Sequence, residues 1–182
     1  MDKSISTENH NKKNKGKSKR TKSRELAVQM LYSSEITGDK IEDTVVTFFQ
    51  NPYIGELEIN DGEKDSTLVE DDKFISQYTH LFEFAEELFK LAMKNKVQDE
   101  DMISKFISKN RTLDRIGVLE KCVLRLGISE LFQDKTPSYA VINEYVTIAK
   151  NFSGEKSASL VKAVLENIKT KFSLGENNNE PK

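Results

Sequence analysis

The sequence predicts an all-α fold, and three observations predict it. Apolar residues recur at i, i+3 and i+4 in several long stretches, period-2 alternation of useful length is missing, and the separators are Gly, Pro and charged turns. With 182 residues the chain forms one domain or two small packed halves, and a hydrophobic fraction of 36% gives a lean core.

Taken in order, residues 1–20 hold almost nothing apolar beyond Met1 and Ile5 and are expected to be a disordered basic arm. From Ser23 the pattern changes to Leu26, Ala27, Met30 and Leu31, which predicts a helix from about Lys22 to Thr37, stopped by Gly38. A short helical segment around Asp43 to Gln50 ends at Asn51-Pro52, because proline disfavours helix in the residue before it. Gly55 to Lys73 carries eight acids against two lysines and reads as a solvated acidic insertion, about 55–73. A core helix follows, with Phe74, Tyr78, Leu81, Phe82, Ala85, Leu88, Phe89 and Ala92 on one face and Lys90, Lys94 and Lys96 near its end. Met102, Ile103, Phe106 and Ile107 predict a short amphipathic helix. Val118 to Phe132 is apolar on nearly all sides and is expected to be deeply buried. Ser138 to Asn151 and Ser157 to Lys171 form a final pair, and 173–182 reads as a disordered tail.

The net charge of -2 hides an asymmetry. Residues 1–24 contain nine basic side chains against two acids, and the remainder is strongly acidic. A basic arm on an acidic body suits a nucleic-acid partner at one end and a basic protein partner elsewhere. A single cysteine, Cys122, excludes an internal disulfide framework and fits a reducing, cytoplasmic setting. No run approaches the roughly 20 apolar residues of a membrane span, and the polar start lacks a signal peptide's apolar centre.

Catalytic and metal chemistry find no support. Cys122 lies inside the most apolar helix and is expected to pack as a small hydrophobe. His10 and His80 have no partner at ligand spacing, and Glu70 to Asp72 lacks the glycine-interrupted alternation of a calcium loop. Gly154-Glu-Lys-Ser157 is not a phosphate-binding loop, since Gly and Lys are not adjacent and position 149 is alanine. Ser153 or Ser157 could cap the last helix, whose free amides and positive end suit a phosphate beside Lys156. The clearest binding signal is at the exit of the amphipathic stretch Pro137 to Phe152. There Phe152 lies among Lys150, Asn151 and Lys156, where an exposed ring can stack an unpaired base, while Tyr145 reads as core.

Three blocks carry a family resemblance: Arg24-Glu-Leu-Ala-Val-Gln-Met-Leu-Tyr32, Leu113 to Leu131, and Pro137 through Ile148 to Leu165 with Ile142-Asn-Glu144 and Ala149-Lys150. Over about Arg20 to Phe172 the chain resembles the bacterial transcription antitermination factor NusB family. The resemblance implies two small packed helical subdomains, no catalysis, no cofactor and no metal. It implies binding to boxA, a single-stranded RNA element of ribosomal RNA operons, together with the ribosomal small-subunit protein NusE, and through these an indirect link to RNA polymerase antitermination complexes. Carried over by position, the RNA surface comprises Arg20, Lys22, Arg24, Gln29, Tyr32, Lys150, Phe152, Lys156 and Ser157, and the partner surface Glu120 and Tyr139. NusB-like proteins occur as monomers or as homodimers that cover the RNA surface.

This chain departs from the family pattern at Lys156, where an acid is common, at Leu160 for phenylalanine, at Lys162-Ala163 for Asn-Gly and at Ser129 for tyrosine. The two added lysines are expected to raise non-specific phosphate affinity. Two other functions compete with an antitermination factor. One is an RNA-binding module related to the N-terminal domains of ribosomal RNA methyltransferases, without their glycine-rich cofactor loop. The other is an adaptor that binds only protein, against which the basic arm argues.

Overall fold

A computed structural model of the chain describes residues 18–50, 72–108 and 112–175. Among these residues there is no strand, and seven α-helices follow one another. They are α1 (Lys19–Thr37), α2 (Ile41–Gln50), α3 (Asp72–Lys94), α4 (Lys96–Phe106), α5 (Val118–Leu131), α6 (Ser138–Ser153) and α7 (Glu155–Phe172). A 3-10 turn, Leu113–Arg115, leads into α5. The all-α expectation is met. Most of the expected basic arm and acidic insertion, and the tail from 176 onward, lie outside the described residues.

The first helix begins three residues earlier than its apolar stripe predicts. Ser18 has extended backbone and its hydroxyl accepts the Thr21 amide hydrogen at 3.1 Å, capping one of the orphan donors of the first turn. Lys19 and Arg20 therefore belong to a helix, not to the arm. A second correction concerns the start of α7. It begins at Glu155 with Gly154 in the cap position, and no side chain caps it. The Ser157 hydroxyl is turned to Glu120 instead, which removes it from capping duty.

One group of helices, α1 to α3, packs around α1, and a second, α4 to α7, packs around α5; α5 also lies against α1 and α3 and so joins the two. Its central position matches its sequence, since every residue from Cys122 to Leu131 is buried. Charged pairs fix the directions. Arg24 of α1 meets Glu130 of α5, and Glu35 of α1 meets Arg125 of α5, so these helices run antiparallel. Tyr145 of α6 meets Glu130 and Ser153 meets Glu120, so α6 is antiparallel to α5 and parallel to α1. The α6–α7 turn is thereby brought to the N-terminal end of α5. None of the helices of the described residues is long and apolar enough to cross a membrane.

Candidate nucleic-acid interface

The nine residues expected to contact RNA fall into two groups, five on α1 and four around the α6–α7 turn. On α1, Lys22, Gln29 and Tyr32 are spaced i, i+7 and i+10 and so lie along one stripe of the helix. Lys22 and Gln29 are half-buried and the Tyr32 ring is 41% exposed. Arg20 is exposed too, but its guanidinium lies over the Phe84 ring of α3, 3.9 Å from the centroid. That contact stacks the planar cation on an aromatic face and fixes where the charge sits.

Arg24 is placed differently. It is buried and gives Glu130 two hydrogen bonds, Nε to Oε2 at 2.9 Å and Nη2 to Oε1 at 2.6 Å. Glu144 of α6 stands 3.7 Å from its Nη1, and the Tyr145 hydroxyl donates to Glu130 Oε2 at 2.9 Å. Burial works against the guanidinium's charge, but the Glu130 bonds and charge outweigh it and hold the group above its ordinary range. Burial likewise pushes the Tyr145 phenol well up, helped by Glu130. Of the five α1 residues, Arg24 is thus the one whose charge is already matched inside the protein.

At the turn, α6 and α7 are joined by one residue, Gly154, whose φ of 86° favours glycine. Phe152 is 42% exposed and Lys150 and Lys156 flank it, both exposed. Lys150 reaches across the joint to Glu155 at 2.5 Å. Ser157, in contrast, is buried, and its hydroxyl donates to Glu120 Oε1 at 2.5 Å; Ser153 donates to the same oxygen at 3.0 Å. Burial alone would raise the Glu120 carboxyl, but the Ser157 bond, its own backbone amide and the Ser153 bond hold it below the usual range.

Glu120 and Tyr139, expected on one partner surface, lie toward opposite ends of α6. Glu120 is hydrogen-bonded at the turn, while Tyr139 is 66% exposed in the first turn of the helix, about 20 Å from Ser153 at 1.5 Å per residue.

Departures from the family pattern also find their places. Leu160 is half-buried against the core and Lys162 is exposed. Ser129 is buried, and its hydroxyl donates to Asp99 Oδ2 of α4 at 2.8 Å. Asp99 is itself only 2% exposed, and burial pushes its carboxyl up to about 7 against the opposing Ser129 bond and Arg125 charge. A serine in this position leaves a carboxyl group a partner where a larger side chain would take its space. Cys122 is buried, and burial lifts its thiol to about 12, far from a thiolate nucleophile. Among the described residues there is no group of three or more His, Cys, Asp or Glu placed to hold a metal ion.

Sequence reasoning missed Glu130 and Asp99, and read Ser153 as a helix cap where it donates to Glu120 instead. A signal existed for the first: a glutamate inside a helix otherwise buried on all sides needs a cation, and such residues are almost never fully buried unpaired. Nothing local announced that the cation would be Arg24, 106 residues away.

The profile of the NusB family matches residues 21–170. A transcription antitermination protein NusB from Acetivibrio thermocellus is 31% identical over 150 residues, covering 82% of this chain and 87% of that protein. The protein of the same name from Clostridium botulinum is 32% identical over 150 residues, covering 80% and 94%. Among solved structures, that of NusB from Aquifex aeolicus superposes with a TM-score of 0.63 at 22% identity, covering 91% of this chain and 96% of that one. A crystal structure of antitermination factors NusB and NusE in complex with dsRNA contains a chain that matches with a TM-score of 0.60 at 23% identity, covering 84% and 97%.

Proposed function

The chain belongs to the NusB family of transcription antitermination proteins, which are not enzymes, and from that premise we propose that it binds boxA-type single-stranded RNA in ribosomal RNA transcripts together with NusE. The observation that carries this reading is the α6–α7 turn. A 42% exposed Phe152 between two exposed lysines, on a joint of one residue, combines a stacking ring with phosphate-binding charge. The Lys22, Gln29 and Tyr32 stripe of α1 and the exposed Arg20 make a second contact region, whose Arg20 end lies with Ala140 and Glu144 toward the start of α6, away from the turn. Lys22, Arg20, Lys150 and Lys156 bind phosphates, Gln29 offers an amide, and Tyr32 and Phe152 offer rings.

Two members of the expected surface take supporting roles in this reading. Arg24 anchors α1 to α5 and α6 through Glu130 and Glu144, and so orients the stripe without donating to RNA. Ser157 fixes the turn through Glu120. The NusE-type partner engages the face that runs from Glu120 to Tyr139, a span that an interface of ordinary size, about 800 Å² per partner, can cover.

Fluorescence anisotropy with boxA-type and scrambled RNA across a salt series tests the reading. The native chain is expected to prefer the boxA-type RNA. Phe152→Ala should weaken that binding by about 1 to 3 kcal/mol, the worth of one stacked base. Lys22→Ala combined with Lys156→Ala should lower the slope of log affinity against log salt by about 1.4, at roughly 0.7 per phosphate on a single strand. Equal binding of both RNAs, with unchanged affinity and slope in the variants, would leave a protein-only adaptor as the better account.

A further inference from the structure

The Glu120 carboxylate holds three strands of structure at one point. It lies in the first turn of α5, accepts hydrogen bonds from Ser153 in the last turn of α6 and Ser157 in the first turn of α7, and takes its own backbone amide as well. The carboxylate folds back over Gly117, where a Cβ would stand 2.2 Å from Oε2, so only glycine leaves room for this conformation. α5 has no other side-chain cap at its start. The carboxylate therefore serves the positive end of α5 and ties both sides of the Gly154 joint to it. Between the two tied serines lie Gly154, Glu155 and Lys156, and Phe152 immediately precedes them.

We propose that Glu120 is a positioning residue for RNA: its clamp on Ser153 and Ser157 sets the direction in which Phe152 and Lys156 are presented. The proposal rests on the RNA reading above and concerns the chain without its protein partner. It has a consequence opposite in sign to simple electrostatics. An acid beside a polyanion-binding surface weakens binding through its charge, so deleting it strengthens binding if charge is all that matters. Deleting a clamp has the reverse effect, because the freed turn must be ordered again when RNA docks.

RNA affinity is measured on the full chain in the absence of partner for Glu120→Ala, Glu120→Gln, Ser153→Ala with Ser157→Ala, and all three alanine changes together. Glu120→Ala and the double serine variant should each bind boxA-type RNA about two- to tenfold more weakly, the cost of re-ordering one or two side chains. The triple variant should be no weaker than either, since one clamp can be lost only once. Glu120→Gln keeps an acceptor oxygen and should recover most of the loss, although it removes the same charge. Binding by Glu120→Ala equal to or tighter than native, or a glutamine variant no better than alanine, overturns the proposal. Hydrogen exchange on the RNA-free protein supplies an arm independent of RNA. The Gly154 and Ala158 amides, bonded to the Lys150 and Gly154 oxygens, should exchange faster in Glu120→Ala and in the double serine variant. Unchanged exchange removes the clamp itself. If the native chain fails to distinguish the two RNAs while exchange does respond, the RNA reading fails and the clamp stands.

Discussion

The contact between α1 and α5 has an arginine at each end, and the two ends are built differently. At one, Arg24 of α1 forms a bidentate pair with Glu130 of α5, and Tyr145 completes the carboxylate's bonding. At the other, Arg125 of α5, 1% exposed, reaches Glu35 of α1 at 2.6 Å and the Ala92 carbonyl at 2.8 Å, but its Nε has no hydrogen-bond partner among the described residues. Glu35 is shared with Lys96 at 2.7 Å, and burial of this carboxyl is outweighed by the Lys96 and Arg125 bonds, which hold it below its usual range. The first end closes around one main anion, Glu130, with Glu144 Oε2 buried 3.7 Å from Arg24 and without a hydrogen bond among the described residues. The second has redundancy: two cations for Glu35, with Glu100 4.0 Å from Arg125 and the buried Asp99 carboxyl nearby in charge terms. The difference teaches where a loss cannot be compensated.

The largest expected effect breaks the closed end. Glu130→Ala leaves Arg24 buried with only Glu144 at 3.7 Å, and should cost about 3 to 5 kcal/mol in denaturant unfolding. Arg125→Met should cost less than half as much, because Glu35 retains Lys96 and methionine fills a similar space. Equal losses would show that the redundancy contributes nothing.

The open end can be sharpened by pH. The Asp99 carboxyl is raised from 3.8 to about 7 by burial, so its contribution is fully present below about pH 4 and is lost as pH rises through 7. Asp99→Asn keeps an acceptor for Ser129 and removes that titration. Its unfolding free energy should match the native chain near pH 4 and exceed it near pH 8, by on the order of 2 to 4 kcal/mol. A native and variant chain with parallel pH profiles would dismiss Asp99 as the titrating group.

Tyr145→Phe tests the closed end more gently. It removes one hydrogen bond to a buried carboxylate and should cost roughly 1.5 to 3 kcal/mol by thermal or denaturant unfolding, with no change in pH profile between 4 and 8. A cost near zero would mean that Arg24 alone satisfies Glu130.

The helices were legible because burial of one face writes a 3.6-residue period into the sequence, and Leu81, Phe82, Ala85, Leu88, Phe89 and Ala92 are buried as that period requires. The start of α1 was not, since its cap, Ser18, sits in a lysine-rich run where no apolar stripe marks a boundary. The same local view grouped Arg24 with its basic neighbours. Charge in a run says nothing of direction, and one step of 100° around the helix separates a solvent-facing cation from one aimed at another helix. Phe152 was legible because a large apolar residue ending a helix among lysines has no core to enter. The Glu120 bonds were hidden for the opposite reason: they depend on the register of α5 against α6 and α7, which no short stretch encodes.

The single-residue joint at Gly154 also has a kinetic meaning. A binding loop of many residues must give up backbone freedom each time a ligand docks, whereas here the backbone on both sides is already helical up to Ser153 and from Glu155. On the proposed RNA reading, association at this turn begins with its geometry in place, so encounter is limited by orientation and charge and not by a search through conformations. On that reading, a change at Phe152 will accordingly be felt mainly in how long the ligand stays, and one at Lys156 also in how fast it arrives.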